Sequence, residues 1–290
     1  MIHFLAAYPD TIKHFIDAWA PELGERIRPV AYRKAWFHRF RLPGACIFSD
    51  VELLSAGQLF FARKFSRRLQ GVHEILNDPD RCLNRFALLK ALHGRGLNHF
   101  RAHRPDQLPD DLKFPVFLRR ETDHRGSRSG LLHSQSELER AIAKLSFRGR
   151  WFLWRRLMVV EYVECAAADG LFRKYSAMNV GGTLIPRHIL FSRNWVTKKA
   201  DFVSATTVEE EIAFLEKFPH REQVTEIFRL AGVDYGRVDY GLKNGRVQVW
   251  EINTNPTVVP RREKIDKRRL PAQSQSAALI AQALASLAQR

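Results

Sequence analysis

One stretch of the chain, residues 236–257 (GRVDYGLKNGRVQVWEINTNPT), has the alternation of polar and apolar side chains that indicates a β-hairpin. Arg237, Asp239, Glu251 and Asn253 stand at odd positions. The even positions carry the apolar side chains, which are Val238, Tyr240, Leu242, Trp250 and Ile252. Because successive side chains of a strand point to opposite faces, the pattern predicts one solvated face and one core face.

The turn of this hairpin decides which face Asp239 takes. A two-residue loop at residues 244–245 puts Asp239 opposite Trp250 and on the face away from Glu251. A three-residue loop at residues 243–245, with its glycine in the left-handed conformation, puts Asp239 diagonally from Glu251. We expect the three-residue loop, because it keeps the apolar even positions together inside. Two carboxylates and an amide oxygen then converge on one solvated patch.

Asp239, Glu251 and Asn253 are the predicted metal ligands. Carboxylate and amide oxygens are hard ligands that suit Mg²⁺, with Mn²⁺ as an alternative, and Mg²⁺ keeps waters and is usually completed by substrate phosphates. Arg237 lies beside them and is expected to face the same phosphates. The alternative is an exposed hairpin whose charges are simply solvated.

Arg-x-Asp on one strand, followed by Glu251-Ile-Asn253 and Pro256 on the next, resembles the metal-binding core of the ATP-grasp ligases. The resemblance is to carboxylate–amine/thiol ligases such as D-alanine–D-alanine ligase, glutathione synthase and RimK-like enzymes. It implies an α+β fold in which two α+β lobes sandwich the nucleotide and a small βαβ lobe precedes them. The implied domains are residues 1–80, residues 81–160, and residues 161–290, which include a C-terminal helix.

The N-terminal residues themselves favour such a first lobe. Residues 45–48 read as a buried strand, residues 52–70 as an amphipathic helix and residues 72–76 as a second strand, which together predict a βαβ unit. Residues 31–43 (AYRKAWFHRFRLP) interleave basic and aromatic side chains. Such a run is typical of a nucleic-acid surface or of an element that packs its rings inward, and we favour the second.

Two arginines are the predicted phosphate contacts of the first nucleotide-binding lobe. On the resemblance, Arg85 on a predicted helix and Arg119 after the buried strand of residues 114–118 stand where the family has lysines. Arginine also binds phosphate, but its planar fork is not equivalent to an ammonium group. The following loop, ETDHRGSRSG, is rich in small residues, and its amides, including those of Gly126 and Ser127, are expected to cover phosphate oxygens.

The apolar strand LMVV leads into the segment that the resemblance identifies as the hinge between the two nucleotide-binding lobes. There the backbone of Glu161 and Val163, with Tyr162 between them, is expected to meet adenine. Either Asp169 or Glu164 is expected to bind the ribose hydroxyls.

A second hairpin, residues 171–191, turns at a Gly-Gly pair. It carries Lys174 and Arg187, which the resemblance directs at the triphosphate or the acyl-phosphate. Arg187 and Arg237 are the predicted catalytic residues, with Arg237 steadying the phosphoryl group or the tetrahedral intermediate. For Lys174 and Arg187, the alternative is a solvated position on a strand.

The implied activity is an ATP- and magnesium-dependent, ADP-producing ligase. ATP would phosphorylate a small-molecule or peptide carboxylate, and an amine or another nucleophile would attack the acyl-phosphate to form a C–N bond. His124 and His133 are candidate substrate contacts, although isolated histidines are more often structural. Specificity is expected to lie in the N-terminal lobe and in loops such as residues 191–202.

Two other functions remain open. A kinase-like or non-catalytic ATP-binding protein of the same fold is suggested by the two arginines in place of lysines. A nucleic-acid-binding protein is suggested by the formal net charge of +16, and we rank it last because no recognised nucleic-acid motif accompanies the charge.

Composition favours a globular, cytoplasmic protein. Three widely spaced cysteines suggest neither a zinc site nor a disulfide framework, and they fit a reducing compartment. No signal peptide and no apolar run long enough to span a bilayer are recognised, so no membrane partner is expected. The alanine-rich helix predicted for residues 274–289 has an apolar stripe that should pack on the body or on a second subunit in a homodimer.

Overall fold

A computed structural model describes residues 1–35, 44–122, 126–146 and 156–290. Three β-sheets with flanking helices make up this α+β fold. The strands are β1 (Ile2–Ala6), β2 (Ile27–Ala31), β3 (Ala45–Phe48), β4 (Glu74–Leu76), β5 (Ala102–His103), β6 (Val116–Arg120), β7 (Leu157–Glu161), β8 (Phe172–Val180), β9 (Thr183–Ser192), β10 (Tyr235–Lys243) and β11 (Arg246–Asn253). The helices are α1 (Asp10–Trp19), α2 (Tyr32–Ala35), α3 (Ala56–Leu69), α4 (Arg85–Gly94), α5 (Gln135–Ser146), α6 (Ala205–Lys217), α7 (Arg221–Ala231) and α8 (Leu270–Leu287).

The first sheet, which we call the parallel sheet, has the strand order β2-β1-β3-β4 with all neighbours parallel. The sequence predicted β3, α3 and β4 but not β1 or β2. Every residue of β1 is buried, and a strand buried on both faces shows no alternation. Helix α3 begins at Ser55 with a reciprocal capping box to Gln58. Residues 36–43, most of the basic and aromatic run, lie outside the described residues.

The second sheet, the three-stranded sheet, has the antiparallel order β5-β7-β6. Helix α4 precedes it and begins where the Asn84 side chain accepts a hydrogen bond from the Ala87 amide. This cap sets Arg85 in the first turn of α4, while Arg119 lies near the end of β6. The fold thus brings both predicted phosphate contacts to this sheet.

The third sheet, the hairpin sheet, has the antiparallel order β11-β10-β8-β9. Its β8–β9 turn contains Gly181 and Gly182, both with positive φ, as the Gly-Gly pair predicted. Helices α6 and α7 pack on one face in a large apolar core. The apolar side of α8, including Ile280 and Leu284, lies in one apolar core with residues of β1, β8 and β9, and this core joins the hairpin sheet to the parallel sheet.

The expected three-residue loop between β10 and β11 is wrong. The structure has a two-residue loop, Asn244 and Gly245, both with positive φ, and Asn-Gly is the pair that such a turn favours. A β-bulge then leaves Trp250 without a partner in β10, so that Asp239 lies directly opposite Glu251. A strict two-residue period cannot anticipate a bulge, which shifts the register by one residue.

The bulge also changes which side chains face the core. Val247 and Val249 are buried with Ile252, whereas Trp250 is only partly buried and borders a cavity. The Trp250 ring lies over Gly241, where an added Cβ would stand 2.6 Å from the ring. Glycine at this position therefore makes room for the bulged tryptophan.

None of the helices in the four described ranges combines the length and the apolar character needed to cross a bilayer. The domain boundaries near residues 80 and 160 stay a prediction.

Candidate functional site

A cavity of about 460 Å³ is lined by residues of the three-stranded sheet and the hairpin sheet, and by residues that follow strands of the parallel sheet. Many of the residues selected from the sequence border it. They are Arg119, Gly126, Ser127, Tyr162, Val163, Lys174, Arg237, Asp239, Glu251 and Asn253. The predicted convergence of Asp239, Glu251 and Asn253 thus occurs, although by a different turn and register.

Asp239 lies on β10 and is only 3% exposed. One carboxylate oxygen accepts hydrogen bonds from Ser176 Oγ at 2.7 Å and Arg237 Nε at 2.9 Å. The other accepts from Lys174 Nζ and from a terminal Arg237 nitrogen, each at 3.3 Å. Burial would raise the pKa of Asp239, but Arg237 and Lys174 outweigh it and hold this pKa well below its ordinary value.

A hydrogen-bond chain continues from Asp239 across the sheet to His188. Asp239, Ser176 and His188 are direct cross-strand neighbours on β10, β8 and β9. Ser176 Oγ lies 3.0 Å from His188 Nε2. Because the Ser176 hydroxyl donates its single proton to the ionised Asp239, His188 must donate from Nε2. Burial, together with the nearby Arg187 and Arg237, lowers the pKa of His188 well below its ordinary value, so the ring is neutral.

Glu251, opposite Asp239, has different partners. Guanidinium groups of Arg85 and Arg119 both bind its Oε2 atom. Arg85 is fixed further by donating to the backbone oxygens of Arg120 at 3.1 Å and Glu121 at 2.9 Å. Glu251 therefore joins β11 to α4 and β6, and so connects the hairpin sheet to the three-stranded sheet.

Two buried polar atoms at the cavity have no hydrogen-bond partner among the residues that the structure describes. They are Nε of Arg119, a residue 7% exposed, and Oδ1 of Asn253, a residue 5% exposed. An unpaired buried donor or acceptor is costly, so both atoms are suited to a ligand. Arg119 offers a donor to an anion, and Asn253 offers an oxygen to a cation.

The charges around the cavity favour an anion. Four cationic side chains, Arg85, Arg119, Lys174 and Arg237, surround the two carboxylates. Within the described ranges, no group of three His, Cys, Asp or Glu side chains could hold a metal ion by itself. Two carboxylates and an amide oxygen are nevertheless a fitting donor set for Mg²⁺ once an anion supplies further oxygens.

Another part of the cavity wall, which we call its aromatic end, consists largely of ring side chains. The Trp195 ring lies 5.0 Å from Phe117 and 5.7 Å from Tyr162, measured between centroids, and Val163 packs with them. Flat apolar side chains of this kind provide a surface for a planar ring. Trp195 falls in the loop region that the sequence connected with specificity, but no motif selected it.

Four predicted nucleotide contacts do not line the cavity: Arg85, described above, and three acidic residues. Glu161 is buried and its carboxylate accepts hydrogen bonds from the Arg101 side chain and amide and from the Lys113 amide. Glu164 accepts from the Ala166 amide and from the Tyr162 hydroxyl. Asp169 pairs with Arg173, whose hydrogen bond to the carboxylate lowers the Asp169 pKa to about 2.

Arg187, a predicted catalytic residue, also lies outside the cavity wall. It is fully buried and donates to the backbone oxygen of Val258 and, at 2.7 Å, to Gln273. Burial lowers its pKa to about 9. In this position it supports the segment that follows β11. The candidate substrate contact His124 lies outside the described residues.

The N-terminal part of the cavity wall was not predicted from the sequence. Asp50, buried in the left-handed conformation after β3, accepts hydrogen bonds from the amides of Ala7 and Tyr8 and from Asn255 Nδ2 at 2.8, 3.1 and 2.9 Å. Glu52 binds both the amide and the hydroxyl of Thr254. These contacts attach the end of β11 to the parallel sheet, and a sequence shows no local sign of them.

Comparison with solved structures supports this architecture. A D-alanine–D-alanine ligase from Bacillus anthracis, solved in complex with ATP, superposes with a TM-score of 0.54 at 14% identity, covering 100% of this chain and 98% of that one. An ATP-grasp RimK domain protein from Sphaerobacter thermophilus gives 0.56 at 16%, covering 97% and 98%. The D-alanine–D-alanine ligase from Coxiella burnetii gives 0.50 at 12%, covering 99% and 98%. No protein-family model and no curated protein sequence matches this chain.

The chain therefore has the ATP-grasp fold. At 12–16% identity, this similarity establishes the architecture, and what the cavity binds must be argued from its own residues.

Proposed function

We propose that the protein is an ATP- and magnesium-dependent ligase that activates a carboxylate as an acyl-phosphate for attack by an amine. One observation carries the proposal: an unpaired buried donor on Arg119 and an unpaired buried acceptor on Asn253 border one cavity. A magnesium–phosphate group offers an acceptor to the first and a cation to the second. The ATP-grasp fold, shared with a ligase solved in complex with ATP, supports the same conclusion.

The cationic side chains would bind the triphosphate. Arg119, Lys174 and Arg237 border the cavity, so their guanidinium and ammonium groups can meet phosphate oxygens. The amides of Gly126 and Ser127 lie at the same wall. We propose that Arg85 and Arg187, which lie behind this wall, support it from within the protein.

Asp239, Glu251 and Asn253 would hold the magnesium ion through their oxygen atoms. When bound, the ion would offset negative charge on the phosphoryl group during transfer. Because Asp239 already has four donors, we expect Glu251 and Asn253 to contribute more directly.

The nucleotide base would lie in the aromatic end of the cavity, among Phe117, Tyr162 and Trp195. Base–aromatic stacking supplies affinity, and the backbone around Val163 supplies polar groups for the edge of the base. The predicted contact of Glu161 with adenine would then be made by its backbone oxygen, because its carboxylate is engaged by Arg101 and its amide donates to the Arg101 oxygen.

The reaction has two balanced steps. A substrate carboxylate oxygen bonds to the γ-phosphorus as the bond to the ADP oxygen breaks. An amine nitrogen then bonds to the acyl carbon, phosphate leaves with the former carboxylate oxygen, and the nitrogen loses a proton. Arg237, at the cavity wall beside Asp239, would steady the charge that develops on the phosphoryl group and on the tetrahedral intermediate.

The proposal also includes the class of substrate, the compartment, the oligomeric state and the division into lobes. The carboxylate belongs to a small molecule or a peptide, and the enzyme acts in the cytoplasm as a monomer or a homodimer. The lobes comprise residues 1–80, 81–160 and 161–290, with the nucleotide between the second and the third.

Calorimetric binding of ATP with magnesium tests the nucleotide site. We expect binding by the wild type and loss of at least about tenfold in affinity in a Glu251→Gln, Asn253→Ala double variant, since the first change removes the charge of one oxygen ligand and the second removes an oxygen ligand altogether. The control is Glu226→Gln, which makes the same exchange on the exposed side of α7. A folded wild type that binds no magnesium–ATP would contradict the proposal.

Product analysis then separates a ligase from a kinase. A ligase releases ADP and phosphate only when both an acid and an amine are supplied. A stable phosphorylated product would instead favour a kinase of the same fold.

A further inference from the structure

The two arginines that bind Glu251 differ in how firmly they are held. Arg85 donates to Glu251 and to the backbone oxygens of Arg120, at the end of β6, and of Glu121, the next residue. For the Arg119 side chain, Glu251 is the single hydrogen-bond partner within the described part of the chain. Arg119 also borders the cavity, and Arg85 does not. The Arg85–Glu251–Arg119 cluster thus has one fixed cation and one that can change partners.

In this arrangement Glu251 is a poor ligand for a free cation. Its Oε2 atom is bound by two guanidinium groups, and the carboxylate is only 15% exposed. A divalent cation would have to displace a charged donor and come close to two positive charges, with little solvent to screen them. The Oε2 atom of Glu251 becomes available only when one arginine leaves.

A phosphate group offers Arg119 another anionic partner in place of Glu251. A guanidinium group binds phosphate oxygens through two parallel hydrogen bonds, so Arg119 would exchange one charged partner for another and could also satisfy Nε. Arg85 stays with Glu251 and keeps its carboxylate in place. The exchange costs no unpaired charge and frees one side of Glu251 for a cation.

We propose that this site accepts a divalent cation only together with nucleotide phosphates, because Arg119 blocks Glu251 until phosphate takes Arg119 away. The inference rests on the proposed function and adds the ligand species: the metal–nucleotide complex rather than the free ion. Coupling of this kind is reciprocal, so the bound cation favours the nucleotide by the same factor.

The test measures Mn²⁺ binding to the full-length protein without nucleotide, using electron paramagnetic resonance of the free ion. The variant Arg119→Met releases Glu251 from one arginine, and we expect it to bind Mn²⁺ about tenfold more tightly than the wild type. The same variant should bind ATP about tenfold more weakly, since it loses a phosphate contact. Opposite changes in the two affinities are the expected signature.

The matched control is Arg173→Met. Arg173 also borders the cavity, but its carboxylate partners are Asp169 and Glu210 rather than Glu251. The Arg173→Met variant removes the same charge from the cavity wall, so a purely electrostatic effect would raise Mn²⁺ affinity in both arginine variants. We expect a change of less than about twofold in Arg173→Met, because its partners are largely solvated.

A third variant tests whether Glu251 is the ligand of the new Mn²⁺ site. Adding Glu251→Gln to Arg119→Met should return Mn²⁺ affinity to the wild-type value, because the freed ligand is gone. If Arg119→Met does not fold by circular dichroism, Arg119→Lys replaces it, with a gain of roughly threefold because an ammonium group lacks the planar fork.

Equal Mn²⁺ affinity in the wild type and the folded Arg119 variant would overturn the inference, as would an equal gain in the Arg173 control. These outcomes are separate from failure of the proposed function. A wild type that binds no magnesium–ATP removes the nucleotide site, whereas a wild type that binds it while the Arg119 variant gains no Mn²⁺ removes only the block at Glu251.

Discussion

The two carboxylates of the site stand opposite each other on β10 and β11, yet different parts of the molecule hold them. Asp239 is bound by side chains of its own sheet, such as Lys174. Glu251 is bound by Arg85 and Arg119, which belong to α4 and β6. The first carboxylate is part of the internal structure of one sheet, whereas the second connects two sheets.

The difference has a physical consequence. Partners on one sheet keep their spacing as long as that sheet is folded, because its ladder fixes them. Partners on two sheets depend on how those sheets pack, so ligands that enter between them compete for the same groups. Changes at Asp239 should therefore have the larger effect on the free energy of unfolding. Changes at Glu251 should affect the coupling between the hairpin sheet and the three-stranded sheet.

The largest expected effect is that of Asp239→Asn on stability. Loss of the buried charge leaves Arg237 and Lys174 without their counterion, and we expect the free energy of unfolding to fall by roughly 3–5 kcal/mol. Urea denaturation of both proteins measures the difference.

The matched variant is Asp169→Asn, which removes a carboxylate from an arginine pair whose aspartate is largely exposed. It should change stability by less than about 1 kcal/mol. Similar losses of stability in the two variants would show that the burial of Asp239 within the sheet does not determine its contribution to the free energy of unfolding.

The next effect is that of Glu251→Gln. Glutamine keeps the shape and a hydrogen-bond acceptor but loses the charge, so we expect a loss of roughly 1–3 kcal/mol in the free energy of unfolding. Hydrogen exchange should become faster in α4 and β6 and stay unchanged in β8. Faster exchange in β8 alone would mean that Glu251 does not connect the two sheets.

The smallest expected effect concerns the pH dependence of stability. It involves His188, the last residue of the hydrogen-bond chain that runs from Asp239 through Ser176. His188 stays neutral in the folded protein, whereas in the unfolded chain it takes up a proton near its ordinary pKa of about 6.5. The unfolded state then binds more protons, so stability decreases as the pH falls below about 6.5, by at most about 1.4 kcal/mol per pH unit.

His188→Gln isolates this contribution, because glutamine also offers an Nε2 donor to Ser176. The variant should lose less stability than the wild type between pH 6.5 and pH 5, as measured by urea denaturation at each pH. Parallel pH profiles would indicate that His188 is protonated in the folded protein.

Much of the site could be predicted from local patterns. Alternation and residue types in the hairpin identified Asp239, Glu251 and Asn253, which do border one cavity. Arg119 was selected because the resemblance places a family lysine at that position, after a short apolar strand that the sequence shows. These signals are local, since a strand shows its faces in its own sequence.

Other features have no local sign. The bulge at Trp250 adds one residue to a strand and leaves the residue types unchanged, so the predicted register was wrong. Arg187 has the sequence character of a strand cation, but it is bound to Gln273, 86 residues away. Trp195 lies in a loop and borders the cavity in contact with Phe117 of β6 and with Tyr162, which follows β7.

By itself, the sequence determined the elements and the chemistry that they carry: an acidic and amide-bearing hairpin and a series of cationic side chains that suit phosphate. Tertiary structure alone decided which cation meets which carboxylate. Arg85 and Arg119 reach Glu251 from 166 and 132 residues away in the chain. Such pairs form because burial makes an unpaired charge costly, and the packing of separate sheets determines which opposite charge is within reach.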